Sequence, residues 1–121
     1  MSIVVAWLLF GLGVAHVAFG LVKFKAPLAA AASAGFVGQF QVPEVRRTAF
    51  WFTLFGLPLM LAGHIAVHAV GVRDHALLKV IGGYVLLTSL IGVLAIPRSP
   101  FWAPLVLGPL LLAAGYGWLP R

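Results

Sequence analysis

Residues 3–22, IVVAWLLFGLGVAHVAFGLV, run for twenty positions without a charged side chain, and about twenty apolar residues are what an α-helix needs to cross the hydrocarbon core of a bilayer. The run ends at Lys23 and Lys25. Positive charge that follows an apolar run, with no basic stretch ahead of it, reads as a retained first span rather than a cleaved leader.

Outward from that segment the same pattern recurs. A second run, Thr48 to Val70, starts directly after Arg46-Arg47 and is interrupted by Pro58, His64 and His68. The third, Ala76 to Ile96, carries Lys79 about one turn in and closes on Pro97-Arg98-Ser99-Pro100, a sequence that cannot continue a helix. The fourth extends from Phe101 to Leu119, with Trp102 and Trp118 near its two ends, where interfacial aromatics belong. The expectation is one all-α domain over residues 1–121, an integral membrane bundle of four transmembrane helices. Lys23 to Arg47 is too long for a turn, and within it Pro27 to Val37 predicts a short helix lying in the interface, with Pro27 as a first helical residue. The other two links are short, which makes neighbouring helices antiparallel.

Composition agrees. Of the chain's 121 residues, 63% are hydrophobic and 8% charged, against about 25% charged in soluble domains. The acids are Glu44 and Asp74. The net charge of +6 lies between and after the apolar runs, a pattern of membrane topology and not of a nucleic-acid-binding face. Lys23, Lys25, Arg46, Arg47 and Arg98 fall on one side, Arg73, Lys79 and Arg121 on the other. That bias places loop one in the cytoplasm and both termini outside. The absence of cysteine excludes disulfides, thiolate catalysis and cysteine metal sites. Gly11-Leu12-Gly13 lies inside a span and is no nucleotide fingerprint. The 14 glycines suit close helix packing, with Gly11 and Ala15, Ala62 and Ala66, and Gly82, Ser89 and Gly92 each on one helical face.

Ionisable groups inside a bilayer cost ~2.5 to 3.5 kcal/mol at a helix centre, so each is a candidate for function. His64 and His68, at i,i+4, share a face and would hold half of a metal or haem site, completed by His75 or Asp74 at the same mouth. Haem or a divalent metal there competes with the plainer reading, interfacial histidines that anchor a helix end. His16 lies at a different depth from His64, about 14 Å away along the membrane normal, which disfavours one haem shared by both. Gly13 and Gly20 flank His16 one turn to either side and predict a groove beside it. From there His16 would reach Glu44, Gln39, Gln41 or Ser89, a set suited either to proton transfer with His16 and Glu44 as acid and base or to a structural hydrogen bond. Arg46 and Arg47 would anchor on lipid phosphates or hold an anionic group.

GVAHVAFGLVKFK at Gly13 to Lys25, the AAAASAGFVGQF stretch after it, and the following apolar span resemble the small bacterial DoxX-like four-helix membrane proteins. The resemblance implies a multi-pass protein of the bacterial cytoplasmic membrane with a redox or quinone-facing role. Two functions follow as expectations. One is a homo-oligomer, a dimer, that binds a lipid, quinone or other hydrophobic small molecule near His16, as an accessory to a redox protein partner. The other is a small membrane enzyme, an isomerase or cyclase using His16 and Glu44, or an oxidoreductase subunit with metal or haem at His64 and His68.

Overall fold

A computed structural model describes residues 1–99 and 101–120; Pro100 and Arg121, which belong to the third link and to the charge count above, lie outside the described residues. The chain forms five helices, α1 (Ser2–Lys23), α2 (Lys25–Ser33), α3 (Glu44–Gly71), α4 (His75–Ala95) and α5 (Trp102–Gly115). Among the described residues there is no strand. Helices α1, α3 and α4 are long and apolar enough to cross a membrane. The expected fourth span, Phe101 to Leu119, is helical over 14 residues. Its axis of about 21 Å falls short of a hydrocarbon core of about 30 Å. The helix ends early because Gly117 turns left-handed at φ +77°, and Trp118 N–H bonds back to the Ala113 carbonyl at 2.9 Å, the glycine-capped ending of a helix.

The short helix expected over Pro27 to Val37 occupies Lys25–Ser33 instead. It stops by the same device, with Gly35 at φ +110° and the Phe36 N–H on the Ala31 carbonyl. Helix α3 begins four residues before the expected Thr48, so Arg46 and Arg47 lie on its first turn; Glu44, its first residue, suits the positive end of the helix dipole.

Packing is dominated by two antiparallel pairs, α1 with α3 and α4 with α5. Lipid offers no hydrophobic drive between helices, so pairing rests on small residues that let backbones approach. Each helix carries two of them seven positions apart, hence on one face: Gly13 and Gly20, Gly56 and Gly63, Gly82 and Ser89, Gly108 and Gly115. A methyl group at Gly13 would stand 2.5 Å from the Met60 amide nitrogen, and one at Gly63 would fall on the Phe10 backbone. At Gly82 it would stand 2.8 Å from the Leu112 nitrogen, and at Gly108 the same distance from that of Leu86. Gly11, expected on a packing face, meets nothing there.

Among the described residues, the two pairs share a core toward the end where the chain termini meet. Val5, Ala6 and Leu9 of α1, Ala66, Ala69 and Val70 of α3, Leu78 of α4, and Leu107, Leu111 and Ala114 of α5 form it. Ser2 N–H donates to the Pro120 carbonyl at 2.8 Å and ties the termini together. Toward the other end, where loop one lies, no such cluster joins the pairs among the described residues, and Phe19, Phe55, Leu87, Leu90 and Leu94 are exposed. The accessible surface of 7369 Å² exceeds the ~6,300 Å² of a compact monomer of this mass. The bundle is closed at its termini end and open at its loop end.

Candidate functional site

On α1 the stripe that enters the shared core, Val5, Leu9 and Leu12, continues at helical spacing as His16, Phe19 and Lys23. On α3 the stripe through Ala66 and Ala62 continues as Leu59, Phe55 and Phe52. Past the end of the core, these two stripes bring together an aromatic cluster with one imidazole and one ammonium.

His16 Nε2 donates to the Phe52 carbonyl oxygen at 2.8 Å. A carbonyl only accepts, so Nε2 bears the hydrogen, and in the neutral ring Nδ1 keeps its lone pair as an acceptor. The imidazole stacks on the Phe52 ring at 4.3 Å between centroids, and Phe55 meets it edge-on at 5.5 Å. Lys23 Nζ stands 5.5 Å from the Phe24 centroid and 5.7 Å from those of Phe19 and Phe52, within the ~6 Å over which a ring quadrupole attracts a cation. The Phe52 ring is therefore shared by both polar groups. Beside it, the Thr53 hydroxyl is buried with no hydrogen-bond partner among the described residues, and a methyl at Gly20 would stand 2.5 Å from it. A further run of rings, Phe36, Phe40, Phe50 and Trp51, joins loop one to the start of α3.

The remaining predicted residues are dispersed. The spaces beside Gly13 and Gly20, expected as a groove for a ligand, are filled by Met60, Gly56 and Thr53 of α3, because those glycines build the α1–α3 seam. Glu44 is exposed at the start of α3, eight residues and about 12 Å along the helix from Phe52. Gln39 accepts from Arg46 Nη1 at 3.4 Å, while Gln41 and Arg47 are exposed. Ser89 is fully buried in the other pair, and its hydroxyl donates to the Val85 carbonyl at 2.7 Å, so it serves its own helix.

The expected metal set is divided between two places. His64 and His68 line an open depression of about 330 Å³ with Leu61 and Ile65. His75 lines a different cavity at the termini end, and Asp74 caps α4 by accepting from the Leu77 N–H at 3.0 Å. Among the described residues no group of three or more His, Cys, Asp or Glu is placed to hold a metal ion. His64 packs edge-on against Phe10, six residues from His16, or about 9 Å along α1, and twelve residues from Phe52, or about 18 Å along α3.

A family model described as a family of unknown function, DUF6463, matches residues 1–118. The chain belongs to that family. No curated protein and no solved structure matches it.

In this DUF6463 member the sequence reading misses Phe52 and Phe55 as the partners of His16, and Phe19, Lys23 and Phe24 as the groups gathered around Phe52. A local signal exists for some of them: Phe19 and Lys23 are i,i+4 on one face, and Phe24 is adjacent. For Phe52 none exists, since its carbonyl and its ring are both presented from another helix.

Proposed function

We propose that this chain is a four-span protein of the bacterial cytoplasmic membrane that binds a hydrophobic, ring-bearing ligand of lipid or quinone type, as an accessory to a redox partner. The binding place is the open loop end between the two helix pairs. The observation that carries this reading is the His16 imidazole held by the Phe52 carbonyl and by the Phe52 and Phe55 rings, in a half of the bundle where, among the described residues, no shared core joins the pairs. Aromatic walls around a few convergent polar groups are what small-molecule sites are made of. A hydroxyl of a reduced ring compound would donate to Nδ1, and the Lys23 ammonium would face an oxygen of opposite polarity. The DoxX-like resemblance adds weight to a quinone among such ligands.

Binding is favoured over acid–base catalysis because Glu44 is about 12 Å along α3 from the carbonyl that holds His16. For α5 as a fourth span, the support is its register: Gly115 packs at Lys79 and His75, while Gly92 packs against the Phe101 ring, so the α5 segment follows α4 along most of its length. Lys23, Lys25, Arg46, Arg47 and Arg98 near loops one and three favour that side as cytoplasmic and the termini as outside. In this reading the chain forms a homodimer, with a second copy covering the loop half.

Native mass spectrometry of the gently solubilised protein, with a short-chain benzoquinone added, tests the reading. The wild type is expected to retain an organic ligand. A folded His16→Ala protein is expected to bind it about tenfold more weakly, the effect of losing one good hydrogen bond in a buried site. Equal retention by the two proteins would remove His16 from the site and refute the proposal.

A further inference from the structure

At the termini end, a half-open cavity of about 260 Å³ lies where four helix ends meet, lined by Ser2, Val70, Arg73, His75, Leu78, Ala114 and Leu119. Its floor is apolar: Val70, Leu78 and Ala114 are all buried. Its polar lining is Arg73 and His75, with the Ser2 hydroxyl directed to the Leu119 carbonyl at 3.4 Å. Among the described residues, the other charged side chains near this mouth are engaged. Asp74 caps the start of α4, and the Lys79 ammonium stands over the Tyr116 ring at 4.9 Å.

Arg73 stands where the chain elsewhere uses glycine. Helices α2 and α5 end with Gly35 and Gly117 in the left-handed conformation, each followed by an N–H bonded five residues back. Helix α3 ends in the same motif, with Asp74 N–H on the Ala69 carbonyl at 2.8 Å, but the left-handed position is Arg73 at φ +58°. A side chain there carries a conformational penalty that glycine avoids. Residues held in such a conformation concentrate at functional sites, and this one lines a cavity.

We infer that the termini-end cavity binds a small amphiphile with one anionic group, its carboxylate or phosphate on Arg73 beside His75 and its short apolar body on Val70, Leu78, Ala114 and Leu119. The guanidinium presents a planar fork of donors that matches such an anion. At about 260 Å³ the cavity falls below the ~300 Å³ at which drug-sized pockets begin, so the apolar body is short. The site is at the opposite end from His16, and its failure and that of the loop-end reading are separable.

The test is titration of carboxyl-labelled octanoate into the full-length protein in phosphatidylcholine nanodiscs, read from the carboxylate carbon resonance, with octanol as the neutral control. Saturable octanoate binding is expected, about tenfold tighter than octanol. Arg73→Gly, which suits the left-handed backbone and so keeps the fold, is expected to abolish that preference, and Arg73→Lys to restore part of it. Replacing phosphatidylcholine by phosphatidylglycerol assigns the natural anionic group: displacement of octanoate points to a bilayer lipid, retention to a soluble acid. Non-saturable partition, equal binding of octanoate and octanol, or an Arg73→Gly protein that binds octanoate like the wild type overturns the inference.

Discussion

The two ends of this bundle are built from the same kinds of residue and reach opposite results. At the termini end, Val5, Leu9, Ala66, Leu78, Leu111 and Ala114 close on one another across all four long helices. At the loop end, Phe19, Phe55, Leu87 and Leu90 are as apolar and stay exposed. Hydrophobicity is therefore not what closes one half in a chain of this composition. Residue size differs: the termini-end cluster includes alanines at 66, 69 and 114, which let the pairs approach, whereas at the loop end phenylalanines at 19, 52 and 55 gather around a histidine and a lysine within one pair. One end holds the pairs together and the other leaves room between them.

The largest effect expected from this contrast lies in the α1–α3 seam, without which neither end exists. Gly63→Val forces a branched side chain onto the Phe10 backbone, which has no flexible end to yield. A loss of about 3 kcal/mol or more is expected, seen as a collapse of thermal stability in detergent. Gly11, where nothing lies within 4 Å, accepts alanine with a change between zero and about 1 kcal/mol of stabilisation. Similar melting temperatures for the two variants would mean that the pairs are not held by glycine contacts.

Next in size are substitutions that separate anchoring from binding. Leu9→Ala removes a fully buried side chain from the shared core and is expected to cost about 2 to 3 kcal/mol while leaving ligand retention per folded molecule unchanged. Phe55→Ala, at a 41% exposed position, is expected to cost less than about 1 kcal/mol and to weaken retention of the benzoquinone. A reversal of the two outcomes, in melting temperature and in native mass spectra, would place the ligand at the wrong end.

The sequence shows the long elements well and their rotations poorly. Ile3 to Val22, Thr48 to Val70 and Ala76 to Ile96 anticipate α1, α3 and α4 to within four residues at each end, because length and charge placement are one-dimensional signals. Which face of a helix packs is another matter. A helix that is apolar all round has no polar side to set its orientation, so the sequence puts Gly11 and Ala15 on a packing face and predicts a groove at Gly13 and Gly20, where the seam lies instead. Helix ends depend on single residues in the left-handed conformation. Gly35 and Gly117 were available to reading and shorten α2 and α5; Arg73 in that role was not, since arginine carries no such signal.

The smallest effect distinguishes two buried hydroxyls. Ser89 sits at the α4–α5 seam with its hydroxyl on the Val85 carbonyl, and Thr53 sits at the α1–α3 seam with its hydroxyl buried and, among the described residues, unpartnered. A hydrogen bond to the residue's own helix replaces one apolar contact with a modest polar one, so Ser89→Ala is expected to change stability by no more than about 1 kcal/mol. An unpartnered hydroxyl carries its desolvation cost with no return, so Thr53→Val, which keeps the shape against Gly20 and removes the hydroxyl, is expected to stabilise the protein by about 1 kcal/mol. The measurement is the melting temperature of each variant with and without the benzoquinone. If Thr53→Val is less stable than the wild type, the hydroxyl has a partner, and the first place to look is the Phe52 and His16 side of the cleft; if the stabilisation appears but ligand retention falls, that partner is the ligand itself.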